Sequence, residues 1–349
     1  MAITPTLLAA LLLFQAGTTP ADPALKADVD RLVLAAQGLK GTWPSQAPPP
    51  VPEVALVARH GTRATPLLFA LLSDDANAQR DDKRWKVQQQ VTLALSRIYS
   101  EPPQCGRVYC DDDSAQRIGQ IKAGWLRVIV ADSEMRMLSS KELLSRFKQE
   151  KVFWRQFEFG EALAAAGDRS VIAEITPLLT HADRHFRGNA AFVIARLGDP
   201  RGFETIAAIL ADHSTRGPGQ GIATGNWTEA AQVRADRYYA AHLLADLKDP
   251  RGVDLLIPLL GDKDAASVVP WSLAEIGDKR AVAPLIKELD RDDPSTRVLA
   301  ISALEHLNAR EALPKLRELL SDERRANFGE QVKVGEAARH AMAVLSSPR

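Results

Sequence analysis

A segment of about 30 residues recurs along the second half of the chain, and this repeat constrains the fold more than any other feature. Each copy has a Gly-Asp or Lys-Asp corner followed by an apolar stretch. The clearest copies are "ARLGDPRGFETIAAIL" at 195–210, "ADLKDPRGVDLLIPLL" at 245–260 and "AEIGDKRAVAPLIKEL" at 274–289. The last two give the period, and the longer step between the first two contains an insertion of about twenty residues. Such self-similarity is typical of solenoids.

Each repeat is predicted to contain two short amphipathic helices. The first follows the corner, as in 253–260, and the second runs into the next corner, as in 186–197. Helices this short are not stable alone in water, so each must bury its apolar stripe against its partner and the next repeat. No run with the period-two alternation of a half-buried strand stands out. The sequence therefore predicts an all-α stack of antiparallel helix pairs.

The pattern R-x-x-A…L-G-D-x-R…PL-x-x-L resembles the HEAT-repeat family, in the short form also found in phycobilisome lyases. Arginines stand at the start of three second helices and aspartates at three corners. These residues are Arg187, Arg237, Arg297, Asp199, Asp249 and Asp278. The resemblance implies a right-handed α-α superhelix in which these side chains form a ladder along the stack, and it is nearly silent on function.

The chain is predicted to have three parts. Residues 1–21 resemble an export signal, because "LLAALLLF" is apolar but too short to span a bilayer. No Lys or Arg precedes that run, so a buried N-terminal helix is the alternative. Residues 22–50 are expected to form a helix and a Pro-rich connector. The solenoid is predicted over 51–349, with insertions at 100–114 and 213–232.

The two insertions carry their own predictions. The only cysteines, Cys105 and Cys110, lie in the first, and in an oxidising compartment they would close a small loop as a disulfide. Trp227 lies in the second insertion, and long loops are usually either functional or disordered. A binding role for Trp227 and a disordered loop are equally compatible with the sequence.

Charge and motifs exclude several classes of function. The 44 basic and 44 acidic residues give a net charge of zero, which argues against nucleic acid or an anionic membrane as the main partner. No later apolar stretch predicts a transmembrane span. His181 and His185 have the spacing of two metal ligands on a helix, but no third ligand is evident. No metal or cofactor is expected.

The segment "ARHGTRATP" at 58–66 resembles the start of the active site in histidine acid phosphatases. That interpretation would make Arg59, His60 and Arg63 the residues of a phosphohydrolase. Alignment with the repeat instead places His60 where Leu197 stands, an inward position near a helix end. The downstream His-Asp or His-Ala-Glu of that family is missing, so a repeat position is the favoured interpretation.

The second helices also predict a row of exposed side chains. The fifth position after the ladder residue lies opposite the buried stripe and should face solvent, yet successive repeats place Phe, His and Trp there. Charged residues follow one turn later. The residues predicted to form this surface are Phe192, Arg196, Tyr238, His242, Asp246, Trp271, Glu275 and His306. The alternative is that Phe192 and Trp271 pack under neighbouring loops.

These observations predict an exported, non-enzymatic monomer that binds a protein or peptide through this surface, since exposed aromatics beside charges are typical of binding surfaces. The resemblance implies that the second helices line the concave face of the solenoid, so the partner is expected there. A phosphohydrolase is one alternative. A chromophore lyase, suggested only by family kinship, is the other, and it conflicts with the export signal.

Overall fold

The computed structural model describes residues 22–39, 51–72, 82–99, 115–215, 228–327 and 332–346. The chain divides into two compact units, Met1–Met137 and Leu138–Arg349. The described residues form helices and turns, and their one β feature is an isolated antiparallel bridge between Arg325 and Lys333. The prediction of an all-α fold is confirmed.

The N-terminal unit is built from five described α-helices: α1 Pro23–Gln37, α2 Pro52–Ala58, α3 Thr65–Ala70, α4 Asp82–Tyr99 and α5 Ala115–Arg136. The predicted leading helix is α1, whose first turn is capped by the Asp22 carboxylate, which accepts a hydrogen bond from the Ala24 backbone nitrogen at 2.9 Å. Helix α1 packs against α2 and α4. Their apolar faces meet around Leu32, Val57 and Leu95, which are fully buried.

The C-terminal unit contains the repeat. Its described α-helices are α6 Ser140–Gln149, α7 Phe153–Ala166, α8 Ile172–Ile175, α9 Arg184–Arg196, α10 Pro200–Ala211, α11 Glu229–Leu247, α12 Arg251–Leu256, α13 Val269–Ile276, α14 Val282–Glu288, α15 Pro294–His306, α16 Leu313–Glu318 and α17 Val334–Ser346. Several first helices are short because a 3₁₀ turn precedes or follows them, as at Lys279–Ala281 before α14. Residues 229–232, which the sequence assigned to the second insertion, form the first turn of α11.

The helices of the C-terminal unit lie in two layers. The second helices α7, α9, α11, α13, α15 and α17 each pack against the next, and the first helices pack on one side of this row. Helix α15 illustrates the reason, since its buried residues Val298, Ile301 and Leu304 recur at helical spacing. Apolar stripes of neighbouring repeats thus merge into two core clusters, one from α9 to α17 and one from α6 to α9, both of which include residues of α9.

Two glycines show how tightly the layers are joined. At Gly202 in α10 a Cβ would overlap the carbonyl oxygen of Ala191 and lie 2.5 Å from the backbone nitrogen of Ala195, so only glycine lets α10 cross α9 at this distance. Gly277 ends α13 with φ of 78°, a left-handed conformation that costs glycine little. Both features belong to the repeat and not to a ligand site.

The corner aspartates do not pair with the arginines at the starts of the second helices. Asp199, Asp249 and Asp278 each bind the arginine two residues later, through its backbone nitrogen and its guanidinium. At Asp199 this contact caps α10, and at Asp278 it caps the 3₁₀ turn that precedes α14. It also lowers the pKa of each carboxyl, because the arginine stabilises the charged form.

The ladder arginines instead bind aspartates of the following repeat. Arg237 binds Asp262 at 2.9 Å, and Arg297 binds Asp322 at 2.6 Å. In the earlier repeat the pair with Asp212 is made by Arg184, at 2.6 Å, and not by Arg187. Each of these aspartates follows a first helix, so the ion pair bridges from one second helix to the loop before the next.

Five predictions fall on residues outside those that the structure describes. They are the export signal at 1–21, the Pro-rich connector before residue 51, the insertion at 100–114, the disulfide between Cys105 and Cys110, and the binding role of Trp227. None of the helices in the described ranges is both long and apolar enough to cross a membrane.

Candidate functional site

The surface predicted from helical phase forms in part. Phe192 is the exception, and its predicted exposure is wrong: its side chain is 2% exposed. The ring lies 4.9 Å from the ring of Phe157 on α7, measured between centroids. Because α7 packs directly against α9, a large side chain one repeat earlier covers the position that the phase of α9 alone would leave open. Phe192 therefore belongs to the core.

Three aromatic side chains of the next two repeats form a continuous, partly exposed surface, which we call the aromatic column: Tyr238, His242 and Trp271. The Tyr238 and His242 rings are one helical turn apart on α11, with centroids 5.0 Å apart. The His242 and Trp271 rings meet between α11 and α13, with centroids 4.4 Å apart. Tyr238 is 40% exposed and Trp271 is 38% exposed, which is unusual for aromatic side chains of this size.

The polar atoms of the aromatic column lack hydrogen-bond partners among the described residues. The hydroxyl of Tyr238, the ring nitrogens of His242 and the indole nitrogen of Trp271 form no hydrogen bond with any described residue. Burial lowers the pKa of His242 to about 4, because the cationic form loses its hydration there. His242 is therefore neutral near pH 7. The column presents neutral rings with hydrogen-bonding capacity to spare.

Two acidic side chains lie one turn beyond the column, and we call them the carboxylate pair: Asp246 and Glu275. Asp246 follows His242 by four residues on α11, and Glu275 follows Trp271 by four on α13, so each continues its partner's helix face. Burial raises the pKa of Asp246 to about 6, and the negative charge of Glu275 adds to the rise. Lys248 and Arg196 act in the opposite direction with smaller effect.

The carboxylate pair is only weakly neutralised by its neighbours. Asp246 makes no ion pair or hydrogen bond with the residues that the structure describes. Glu275 lies 4.0 Å from the Lys248 ammonium and 3.6 Å from His306 Nε2, both at the long end of ion-pair distances. Contacts this long between exposed groups contribute little. Arg196 and His306 thus lie at the rim of the surface, as exposed residues on α9 and α15.

A buried polar network behind this surface was missed by the sequence analysis. Asp236 on α11 is fully buried and accepts a hydrogen bond from Arg184 at 3.0 Å. The ring of His185 lies 3.5 Å from the same carboxylate and packs between Phe153 and Tyr239. The sequence signal for this network is the presence of polar residues at core-facing positions of α9 and α11. A search for apolar periodicity does not detect such residues.

The network continues toward the earlier repeats through side-chain amides. The Tyr239 hydroxyl donates to Asn189 Oδ1 at 2.5 Å, and Asn189 Nδ2 donates to Gln156 Oε1 at 2.9 Å. Gln156 Nε2 in turn donates to the carbonyl of Phe147 at 3.0 Å. These hydrogen bonds link α6, α7, α9 and α11. Since the amides are buried and bonded, they stabilise the stack and are not open to a ligand.

The phosphatase-like motif lies in the N-terminal unit, where each of its three basic side chains lies near a carboxylate. His60 follows α2 at the inward position predicted from the repeat, and its Nε2 lies 2.7 Å from Asp28 Oδ2 on α1. Arg59 lies 3.7 Å from the same carboxylate, and Arg63 lies 4.0 Å from Asp22. Pairing with His60 lowers the pKa of Asp28. A carboxylate thus stands where the phosphatase interpretation needs a phosphate, and no sheet surrounds His60 within the described N-terminal segments.

The two histidines with metal-ligand spacing are turned apart. His181 is exposed, and its Nδ1 accepts a hydrogen bond from the Asp183 backbone nitrogen at 3.1 Å. His185 is buried in the polar network. Among the residues described, no three His, Cys, Asp or Glu side chains are grouped to hold a metal ion.

Comparison with known proteins bears on the repeat alone. A family model described as HEAT repeats matches residues 266–328, which contain the helix pairs from α13 to α16. A search of curated proteins finds no match to the chain. The match and the stacked helix pairs together support a HEAT-repeat family for this protein.

Proposed function

We propose that the protein is a non-enzymatic scaffold that binds a protein or peptide on the surface formed by the aromatic column and the carboxylate pair. HEAT repeats and a helical stack suit a protein-interaction scaffold. The observation that carries the proposal is the set Tyr238, His242 and Trp271, in which the partly buried ring of His242 contacts both exposed neighbours, and whose polar atoms form no hydrogen bond with the described residues. Large aromatics of this kind supply most of the binding energy in many interfaces.

The arrangement of helices supports this location. The column lies on α11 and α13, which are neighbours in the row of second helices, and this is the row that lines the concave face in solenoids of the resembled family. A peptide laid along that row would contact several repeats at once, which is how extended repeat surfaces bind their partners. Arg196 and His306 would lie at its two ends.

A capture experiment tests the proposal. The full chain and its Tyr238→Ala/Trp271→Ala variant are immobilised, and bound proteins are identified by mass spectrometry. The matched control is Trp154→Ala, because Trp154 is 55% exposed and has no ring contact with another described residue. We expect partners retained by the wild type and the control to be lost from the double variant. Retention of every partner by a correctly folded double variant would assign binding to another surface.

We further propose that the chain is exported as a monomer, with cleavage after Ala21 and a Cys105–Cys110 disulfide. The apolar run near the N-terminus and the paired cysteines support this, since disulfides persist in oxidising compartments. The test is the intact mass of protein from the cell envelope, measured with and without reduction before thiol alkylation. A chain that begins at Met1 and alkylates without reduction contradicts the proposal. Light scattering measures the oligomeric state.

A further inference from the structure

We infer that the bound partner presents an arginine side chain, which stacks on the aromatic column and pairs with Asp246 and Glu275. This inference rests on the proposed function and names the chemistry of the segment that the surface selects. It commits to a cationic peptide segment as the occupant, on grounds of charge complementarity. Three observations carry it: the contacting rings, the weakly neutralised carboxylate pair, and the lack of an ion pair between Asp246 and the neighbouring cations in the described residues.

The aromatic column offers ring faces to a partner. Trp271 and Tyr238 expose aromatic surface on both sides of His242, which is neutral near pH 7. The faces of Trp and Tyr attract cations, and a guanidinium stacks on them while keeping its in-plane N–H groups available. An apolar side chain would also pack on these rings, so the column alone does not select a cation.

The carboxylate pair supplies the selection. Asp246 and Glu275 are close enough for each negative charge to disfavour the other, and Asp246 is largely desolvated as well. A cation placed beside both offsets the repulsion and the lost hydration, whereas an anionic partner would increase both costs. The planar guanidinium fits this arrangement because it can donate N–H groups to two carboxylates while its face rests on a ring.

The cations already present near the carboxylate pair do not form an ion pair with Asp246. Lys248 and Arg196 affect Asp246 less than burial and Glu275 do, and neither forms an ion pair with Asp246 in the described residues. His306 contacts Glu275 at 3.6 Å from α15 and carries a charge only when protonated. Lys248 at the end of α11 and Arg196 on α9 thus lie near enough to lower the pKa of Asp246, but neither reaches ion-pair distance of its carboxylate.

The test uses three acetylated and amidated octapeptides in a Gly/Ser background, carrying two arginines, two citrullines or two glutamates. Citrulline keeps the shape and most N–H groups of arginine without the charge. Binding is followed by fluorine NMR of the full chain labelled with 5-fluorotryptophan, and the Trp271 signal is assigned from its loss in Trp271→Phe. We expect the arginine peptide to shift this signal and to bind about tenfold more tightly than the citrulline peptide.

Variants of the carboxylate pair locate the charge preference. We expect Asp246→Asn/Glu275→Gln to remove the preference for arginine over citrulline while the Trp271 signal stays at its wild-type position. The matched control is Glu204→Gln, an exposed acid on α10 in the layer of first helices, which should keep the preference. Equal binding of the arginine and citrulline peptides, or an equal loss in Glu204→Gln, would overturn the inference.

The outcomes separate this inference from the proposed function. If partner capture depends on Tyr238 and Trp271 but the arginine peptide shows no advantage, the surface binds a partner and the cationic specificity is wrong. If capture survives the aromatic substitutions, the proposed function fails whatever the peptides do. The pH dependence of the arginine peptide adds a check, since binding should weaken as the pH falls through about 6 and Asp246 becomes protonated.

Discussion

Arg237 on α11 binds Asp262 of the following repeat through both terminal nitrogens, at 2.9 and 3.1 Å, while its Nε donates to the carbonyl of Leu210 at 2.9 Å. The arginine is 1% exposed. One side chain thus ties a second helix to the first helix before it and to the loop after the next one. The orientation of neighbouring repeats, and with it the spacing of the binding surface, depends on such contacts.

Replacing Arg237 should therefore be far more costly than replacing a corner arginine. We expect Arg237→Ala to destabilise the chain by about 3–5 kcal/mol, because it leaves Asp262 and the Leu210 carbonyl without their partner. Arg201→Ala is the control, since Arg201 is exposed and binds the corner Asp199 locally, and it should cost far less than Arg237→Ala. Urea unfolding followed by circular dichroism measures both. Equal losses would mean that the inter-repeat pair has no special role.

Alanine substitutions at two glycines should distinguish the free-energy cost of a steric overlap from that of a left-handed backbone conformation. Gly202→Ala should destabilise by about 2–3 kcal/mol or more, because the added methyl group overlaps the backbone of Ala191 and Ala195. Gly277→Ala meets no atom within 4 Å and should cost about 1 kcal/mol, from its left-handed backbone alone. Thermal unfolding of the two variants gives the ranking. A smaller effect at Gly202 would show that α9 and α10 can separate at little cost.

Much of this architecture could be predicted from the sequence, because the repeat fixes helical phase. The phase places Tyr238, His242 and Trp271 on one face and their acidic neighbours one turn later. It fails for Phe192, whose exposure depends on Phe157 in another repeat, and the periodicity of a single helix carries no information about its neighbour's side-chain size. It also fails for Asp236, because a buried polar residue inside a helix has the same pattern as a solvent-facing one.

Asp246 should make the protein less stable as the pH rises. Its pKa is raised from 3.8 in the unfolded chain to about 6 in the folded one, so the folded state binds more protons between these values. Stability from this group is therefore greatest below pH 4 and is lost as the pH rises through about 6. We expect Asp246→Asn to be about 1–3 kcal/mol more stable than the wild type at pH 7 and equal to it near pH 4.

Melting temperatures of the wild type and Asp246→Asn at intervals from pH 4 to pH 8 check this. The difference should grow up to about pH 6 and then stay constant. A constant difference at all pH values would mean that the carboxyl titrates normally in the folded state. Asp254→Asn, at an exposed acid on α12, serves as the control for removing a negative charge from this part of the solenoid.

His242 should have the opposite pH dependence in nearly the same range. Its pKa falls from 6.5 in the unfolded chain to about 4 in the folded one, because the buried ring cannot hydrate a charge. The unfolded state then binds more protons between these values, so stability falls as the pH is lowered from about 6.5 toward 4. The wild type, which carries both residues, should show a shallow net dependence because the two effects partly cancel.

Single substitutions should separate the pH dependence that comes from Asp246 from the one that comes from His242. In Asp246→Asn, which keeps His242 of these two residues, stability should fall more steeply than in the wild type as the pH is lowered from about 6.5 to 4. In His242→Phe, which keeps an aromatic ring against Trp271, stability should instead rise as the pH is lowered from about 6 to 4, where Asp246 becomes protonated in the unfolded chain as well. Urea midpoints at matched pH values measure both slopes. If the two variants share one slope, the column and the carboxylate pair do not form the desolvated surface on which cation recognition depends.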